Sequence, residues 1–539
     1  MASSRKLHPP FTVRSLVLAC IVLLCAGCTT LPGRDFPREA PQPLTQSANA
    51  ALVQPFDAAA RAHPNQSGFR IFSVGVDGLL LRLELIEQAR RSLDLQYYIF
   101  HGDESGSLIT AALGRAAARG VRVRILVDDA ESVAGDERLF GLAGHDNVSI
   151  RIFNPWRYRG HNLVLRGVEF AFSHGRLDYR MHNKLFIVDG TIALIGGRNI
   201  GDQYFQTDPQ SQFADDDVFT TGVVVPELAD VYERFWQTHL AVPVQALLPS
   251  HETGDKAAHH LLRRKIVPQK AATAGFDYQA KLASGEPLAS LLSGAASLSW
   301  ASAELACDSP DKGPRTARGE HVRSLEFAPV AAAIRATSSE LEVVTPYLVP
   351  TAGELKLLEE PREPPRRVRI LTTSLEANND ALTQARYMRY RVPLLTAGVQ
   401  LYELRARPEG SHGTGQSKKL SRYGNYSLHA KLLVFDRNGV FVGSMNMDQR
   451  SRRLNTEDGL VIHSAELAEE TARRFAAMSS PENAYTVTLQ APPSGGRPRL
   501  TWTTVNDGQS VSSTREPARG LWQRVEVWFL SLLPVDREL

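Results

Sequence analysis

Cysteine is scarce in this 539-residue chain, with four in all, and Cys20, Cys25 and Cys28 sit within the first 28 positions. Cys307 stands alone in the body, so no internal disulfide framework is available. An excess of one charge is also missing. The 61 Lys and Arg face 58 Asp and Glu, and the signs balance once Arg5, Lys6 and Arg14 are set aside. A neutral body carries no electrostatic footprint for bulk nucleic-acid binding. Only the first thirty-odd residues read as membrane-directed, which excludes a polytopic membrane protein. No Gly-x-Ser-x-Gly, P-loop or zinc-protease pattern occurs, which removes the serine-hydrolase lipases among others. What is present is 43% hydrophobic residues against 22% charged, enough to bury a core. The length fits two to four domains.

Arg5, Lys6 and Arg14 form a positive region ahead of the uncharged run SLVLACIVLLCAGC. The run is shorter than the roughly 20 apolar residues of a bilayer span and has the layout of a secretory signal. Its end, Leu24-Cys25-Ala26-Gly27-Cys28, resembles a bacterial lipobox, with Cys25 where Leu is usual. Residues 1–27 are therefore expected to be a lipoprotein-type signal, with Cys28 lipidated after cleavage. An uncleaved short anchor is the alternative. Residues 28–68, rich in proline, read as an extended tether. The expected location is the bacterial cell envelope, lipid-anchored and facing the periplasm.

The chain repeats itself. GVRVRILV (120–127) and PRRVRIL (365–371) share a Val-Arg-Ile core at an offset of 245. Helix-like stretches and short apolar strands recur around both, including VSIRIF (148–153) and VQLYEL (399–404). Strands alternating with helical segments predict an α/β fold of two related halves, each a mixed sheet flanked by helices. The halves are expected over 69–244 and 321–480. Residues 245–320 are read as a linker or insertion, and 481–539 as an extension with an amphipathic helix.

The strongest repeat is HNKLFIVDGTIALIGGRN (182–199) against HAKLLVFDRNGVFVGSMN (429–446). Both run His-x-Lys, four residues, Asp, six residues, a small pair, one residue, Asn. Each spans 17 positions, and the copies lie 247 apart. LFIVD and LLVFD are strand sequences, whose alternation puts His182 with Lys184, and His429 with Lys431, on common faces. Asp189-Gly190 and the stretch from Asp436 to Gly439 are turn chemistry. The returning strand is expected to bring Asn199 beside Lys184 and Asn446 beside Lys431. Gly196, Gly197, Gly443 and Ser444 carry little side chain, which predicts room for a ligand at the strand ends. An imidazole, an ammonium and an amide from each half suit a phosphodiester: cations and amides hold the oxygens while two histidines do covalent and proton chemistry.

Both copies match the HKD motifs of the phospholipase D superfamily. The stretches RMHNKLFIVDGTIALIGGRNIGDQYF, FADDD, SLHAKLLVFD, SRRLNTEDG and LWQRVEVWFLSLLPV resemble bacterial cardiolipin synthases of the C type. The resemblance runs from about residue 70 to the C-terminus and is weak over 245–320, beyond a Trp300-bearing strand and the DSPDKG loop (308–313). It implies two displacements through a phosphohistidine at the interface of the halves. His182 is the nucleophile and His429 the acid and then the base, with Lys184, Lys431, Asn199 and Asn446 on the phosphate. Asp189 and Asp436, at the far strand end, read as structural turn carboxylates. Asp215, Asp217 and Glu457 are candidates to orient the imidazoles, Glu457 most clearly. No metal or cofactor is expected, because the lysines already bring the positive charge.

The implied activity is transfer of a phosphatidyl group between phospholipids to make cardiolipin, with phosphatidylglycerol as a substrate and phosphatidylethanolamine as an open second. The runner-up is hydrolysis, as a phospholipase D or a related nuclease, and nuclease is disfavoured by the neutral charge. An inactive membrane-tethered binding module is the reading from another class, and all four motif His and Lys residues stand against it. His101, His145, His161 and His174 read as ordinary loop residues. Trp156-Arg157-Tyr158-Arg159 and the C-terminal Leu521, Val525, Trp528, Phe529 and Leu532 suit either lipid contact or ordinary packing.

Overall fold

The computed structural model describes residues 31, 50–130, 139, 141–158, 162–208, 211–247, 286–294, 297–320, 327–359, 365–406, 426–490 and 498–532. The signal segment and Cys28 lie outside them, as do Arg159 and His161.

Two large sheets carry the fold. The first has nine strands, in the spatial order Ser299–Ala301, Ser67–Phe72, Asp217–Gly222, Ile192–Gly196, Leu185–Val188, Ser92–Tyr97, Arg122–Asp128, Val148–Phe153 and Ala241–Pro243. The second has ten: Ala303–Cys307, Asp458–Ile462, Gly439–Gly443, Leu432–Phe435, Glu340–Val344, Arg367–Thr373, Gln400–Leu404, Ala484–Gln490, Arg499–Asn506 and Gln509–Ser513. Eight consecutive strands correspond one for one, from Ser67–Phe72 to Ala241–Pro243 and from Ala303–Cys307 to Ala484–Gln490. In both sheets a run of three parallel strands, starting at Ser92–Tyr97 and at Glu340–Val344, is flanked by antiparallel neighbours.

Strand alternation explains how each sheet serves two cores. Leu185 and Ile187 enter a central core shared with residues of the second half such as Leu432 and Val442, whereas Phe186 and Val188 face the outer core of the first half. Leu433 and Phe435 likewise face the outer core of the second half. The amphipathic helices Val224–Gln237 and Ala465–Met478 bury Phe235 and Phe475 in the central core. The outer core of the first half is covered by Gly75–Gln88 and by Glu104–Ala118, whose N-cap Asp103 accepts a bond from the Gly106 N–H.

Three expected boundaries need correction. Within the expected tether, Ala50–Ala62 is an α-helix with Leu52 and Phe56 buried in the outer core, and the first sheet already begins at Ser67. Within the expected linker, Ser299–Ala301 edges the first sheet while Ala303–Cys307 pairs with Asp458–Ile462 in the second. The latter occupies the place that Ser67–Phe72 holds beside Asp217–Gly222 in the first half. The repeat therefore starts before residue 321. Within the expected extension, three strands complete the second sheet. Short pairing strands have no strong sequence signal, because the partner strand creates most of their stability.

Candidate active site

The motif strands begin at Leu185 and Leu432, one residue after each lysine, so the His-x-Lys segments stand at the sheet edge. That edge is the carboxyl end of the parallel strands, since Leu185 is opposite Gln96 near the end of Ser92–Tyr97. The turns at the far end are held by Asp189 and Asp436. Asp189 accepts N–H bonds from Arg90, Arg91 and Ser92, and Asp436 accepts them from Ser338, Ser339 and Glu340. Both aspartates have positive φ, 52° and 49°. Each carboxylate ties its turn to the start of the neighbouring strand.

Each histidine is seated by the other half. The His182 N–H donates to the Thr456 carbonyl at 2.9 Å, and its Nδ1 lies 2.8 Å from Oε2 of the next residue, Glu457. The His429 N–H donates to the Ala214 carbonyl at 2.8 Å, and its Nδ1 lies 2.5 Å from Oδ2 of the next residue, Asp215. A two-stranded parallel ribbon, Gln212–Ala214 with Tyr426–Leu428, stitches the halves beside this point. A carboxylate on Nδ1 fixes the tautomer and leaves Nε2 for chemistry. Asp215 and Glu457 thus each lie against an imidazole, that of the opposite half.

Asp217 does not. It is buried between Arg82 and Arg198, at 2.9 Å and 3.0 Å, and holds the two cations inside the first half. Asp217 opens the strand Asp217–Gly222, whereas Asp215 lies just after the ribbon strand Gln212–Ala214, beside the other half. Arg198 links the two, bonding the Asp217 carboxylate and the Asp215 carbonyl.

The glycines also need correction. A Cβ on Gly197 would come 2.1 Å from Asp215 Oδ1, and one on Gly196 would come 2.3 Å from the Asp216 carbonyl. A Cβ on Gly443 would come 2.3 Å from the Asp458 carbonyl. The space is filled by the neighbouring strand and the orienting acid, not by a ligand. Ser444, the counterpart of Gly197, donates from Oγ to Glu457 Oε2 at 2.5 Å.

The lysines are buried with the histidines. Lys184 Nζ donates to the His182 carbonyl at 2.6 Å, and Lys431 Nζ lies 3.2 Å from His429 Nε2. The Asn199 Oδ1 accepts from the Ile99 N–H at 3.1 Å, leaving its buried Nδ2 with no partner among the described residues. Asn446 has an equally unpartnered buried Oδ1. Tyr98 packs edge-on against His182, while Tyr204 and Phe213 pack on His429.

Electrostatics tie these groups into one site. Burial and both lysine cations push His182 well below the ordinary imidazole value. Burial, with Lys431 adding to it, pushes His429 down to about 3. Burial lowers Lys184 and takes Lys431 down to about 7. Both rings are therefore driven to the neutral form, and Lys431 keeps its charge only below about pH 7. A phosphodiester anion set against the lysines offsets their repulsion and lets one imidazole take a proton. The acids differ. Burial raises Asp215, but His429, Lys431 and Arg198 more than offset it and hold it below the usual carboxylate value. Burial leaves Glu457 raised.

Sequence reasoning missed the support behind Glu457. Ser451 Oγ donates to its Oε1 at 2.7 Å. Asp308 accepts the Glu457 N–H at 3.0 Å, and buried Lys312 neutralises Asp308 at 2.6 Å. Asp308 and Lys312 belong to the DSPDKG loop, which the family resemblance singled out without giving it a role. Among the described residues no group of acids, histidines and cysteines has the arrangement to hold a metal ion. His101 and His174 are part-exposed and lie 3.9 Å from Asp103 and Asp178.

Comparisons with known proteins agree with this geometry. The family model described as "Cardiolipin synthase, PLD-like domain" matches residues 83–236 and 330–479, one match per half. Cardiolipin synthase C of Escherichia coli is 36% identical over 481 residues, covering 88% of this chain and 96% of that protein. Cardiolipin synthase 2 of Bacillus anthracis is 24% identical over 411 residues, covering 76% of this chain and 64% of that one. In fold, the crystal structure of phosphatidylserine synthase from Haemophilus influenzae superposes with a TM-score of 0.51 at 13% identity, covering 80% of this chain and 92% of that one.

Proposed function

The chain belongs to the phospholipase D-like cardiolipin synthase family and is a phosphatidyltransferase; from that membership we propose that it makes cardiolipin by transphosphatidylation between phospholipids, with phosphatidylglycerol as substrate and phosphatidylethanolamine as the second lipid to test. The observation that carries the mechanism is the crossed seating of His182 on Glu457 and His429 on Asp215 in one buried, lysine-lined site.

His182 Nε2 attacks phosphorus, forming a P–N bond as the P–O bond to the headgroup alcohol breaks. The leaving oxygen takes the proton that His429 acquires when the phosphate anion offsets Lys184 and Lys431. Asp215, which stays ionised, favours that protonated His429. An incoming lipid hydroxyl then gives its proton to His429 while its oxygen attacks phosphorus and frees His182. Asn199, with its unpartnered amide donor, supports the phosphate-binding role alongside the lysines.

Membrane contact is part of the same reading. Leu163–Leu177 leads into the His182 segment and exposes Leu163 and Val164 at 79% and 73%. Leu521–Ser531 exposes Trp522, Trp528 and Phe529, and is anchored through buried Val527. Apolar helix faces of this kind suit a bilayer interface. No helix among the described residues is long and apolar enough to cross a membrane. Lipidation at Cys28 and a periplasmic orientation complete the proposal. Cys28→Ser, or globomycin on the wild type, is expected to leave an unprocessed precursor, and a mature N-terminus elsewhere than residue 28 overturns it.

The deciding experiment is mass spectrometry of lipids after full-length protein acts on phosphatidylglycerol vesicles, with and without phosphatidylethanolamine. Cardiolipin as the main product is expected. Phosphatidic acid in its place establishes the hydrolase.

A further inference from the structure

Residues 307–313, which leave the second sheet at its edge strand, touch both sides of the His182–Glu457 pair. In the second half, Asp308 and Glu457 bond in both directions. The Asp308 N–H donates to the Glu457 carbonyl at 2.9 Å, and Asp308 Oδ2 accepts the Glu457 N–H at 3.0 Å. Lys312 Nζ donates to Asp308 Oδ2 and to the Ser451 carbonyl, both at 2.6 Å. Ser451 Oγ donates to Glu457 Oε1 at 2.7 Å, which closes a ring of four side chains. The helix Lys312–Ala317 adds a second grip, from Thr316 Oγ1 to the Arg453 carbonyl at 2.7 Å. In the first half, Asn183 Nδ2 donates to Cys307 Sγ at 3.6 Å, and a Cβ on Gly313 would come 2.3 Å from the Tyr179 ring. Tyr179 is three residues before His182, and Asn183 directly follows it. The segment thus bears on the backbone around His182 and on the acid behind its ring.

The His429 side is built differently. Counted from the motif glycines Gly196 and Gly443, the strand registers make Asp215 the counterpart of Glu457. The edge-strand registers then put exposed Val74 where the second half has Asp308, and Gly78, four residues on, where it has Lys312. Neither carries charge. Asp215 is a short side chain, held by its contact with Gly197 and by the Asp216 N–H at 2.8 Å. Glu457 has one more rotatable bond, so it needs more partners to stay in one rotamer. The side chains of Lys312 and Asp308 are 1% and 0% exposed. A buried ion pair is a poor source of stability, because desolvation offsets most of its attraction. What this pair supplies is a fixed geometry behind Glu457.

We propose that Asp308 and Lys312 are positioning residues for the nucleophile alone: the ring they close holds Glu457 in the rotamer that orients His182 and turns its Nε2 toward phosphorus. The proposal rests on His182 being the nucleophile. The ring reaches the reaction through Glu457, so opening it loosens the attack and leaves substrate binding in place. The loss therefore falls on kcat and spares KM.

The test follows phosphoenzyme formation by rapid quench as full-length protein reacts with a nitrophenyl phosphodiester. Lys312→Met is expected to slow it about 10- to 100-fold, the scale seen when the group behind an oriented histidine is removed. KM should stay within about twofold. Ser451→Ala opens the ring without stranding a charge and should cost about 2- to 10-fold. If urea unfolding shows Lys312→Met to be unfolded, Ser451→Ala carries the test. A double-mutant cycle then asks what the ring acts through. In a Glu457→Ala background either change should cost less than about twofold more, because no carboxylate is left to position. In a His429→Ala background the full cost should persist. Full additivity with Glu457→Ala overturns the proposal, as does a loss confined to KM or one that disappears with His429→Ala. Wild-type rates in folded Lys312→Met and in Ser451→Ala overturn it too. Absence of any phosphoenzyme in the wild type overturns the underlying mechanism instead.

Discussion

The two halves share a scaffold and differ at the acid behind each histidine. Their turn aspartates, parallel strand runs and His-x-Lys segments correspond closely. Behind His429, the acid is a short aspartate packed so tightly on Gly197 that a Cβ there would come 2.1 Å from its oxygen. Behind His182, the acid is a longer glutamate held by the Ser444 and Ser451 hydroxyls at 2.5 Å and 2.7 Å. Asp215 is held ionised by the cations around it, while burial raises Glu457. Duplication yields two imidazoles, and their carboxylate partners have diverged, one held below and one raised above the usual carboxylate value. That is the rule for making two like groups do unlike work.

The sharpest way to break this comparison is to remove each ring. His182→Ala is expected to abolish phosphoenzyme and turnover on both lipid and nitrophenyl ester. His429→Ala should cost about 10²- to 10⁴-fold on lipid, the range of general acid–base catalysis, yet far less on the nitrophenyl ester. Rapid-quench labelling and steady-state rates check both, and equal losses on the two substrates in both variants would erase the division of labour. EDTA is expected to leave wild-type rates unchanged.

Asp215 against Asp217 sharpens the comparison next. Asp215→Asn should keep the fold and lose about 10²-fold or more in kcat on lipid. Asp217→Asn strips two buried arginines of their carboxylate and should cost about 3–5 kcal/mol of stability. Urea unfolding beside kinetics separates the two.

Lys431, lowered to about 7 by burial, makes pH a further probe. As pH rises through that value the ammonium loses its proton, so kcat/KM for an anionic lipid should fall on the alkaline side. Lys431→Arg, which keeps its charge, should move that limb upward. A profile flat over roughly two units about the lowered Lys431 value would count against the lysine as anion binder.

The smallest effect is expected from exchanging the residues behind the acids. Ser444→Gly removes one hydrogen bond to Glu457 and should cost about 2- to 10-fold in turnover. Gly197→Ser forces a side chain against Asp215 and should cost more. Comparable losses in the two variants would mean that packing behind the acids is not where the halves diverged.

The repeat, the two motifs and the turn positions of Asp189 and Asp436 were legible because each rests on local rules acting within about 18 residues: alternation along a strand and turn chemistry at its end. The glycines were legible as special positions, but their purpose was not, since the atoms that crowd Gly197 belong to another strand. Short edge strands such as Ala303–Cys307 escaped notice because their hydrogen bonds depend on a partner more than 150 positions away. The amino-acid sequence by itself determined that this chain holds two histidines and two lysines on duplicated α/β halves. Only the tertiary structure decided that Glu457 serves His182 across 275 positions and Asp215 serves His429 across 214. Those bonds form only when the halves dock, and docking is set by the shape of two buried sheet faces, which no local pattern encodes.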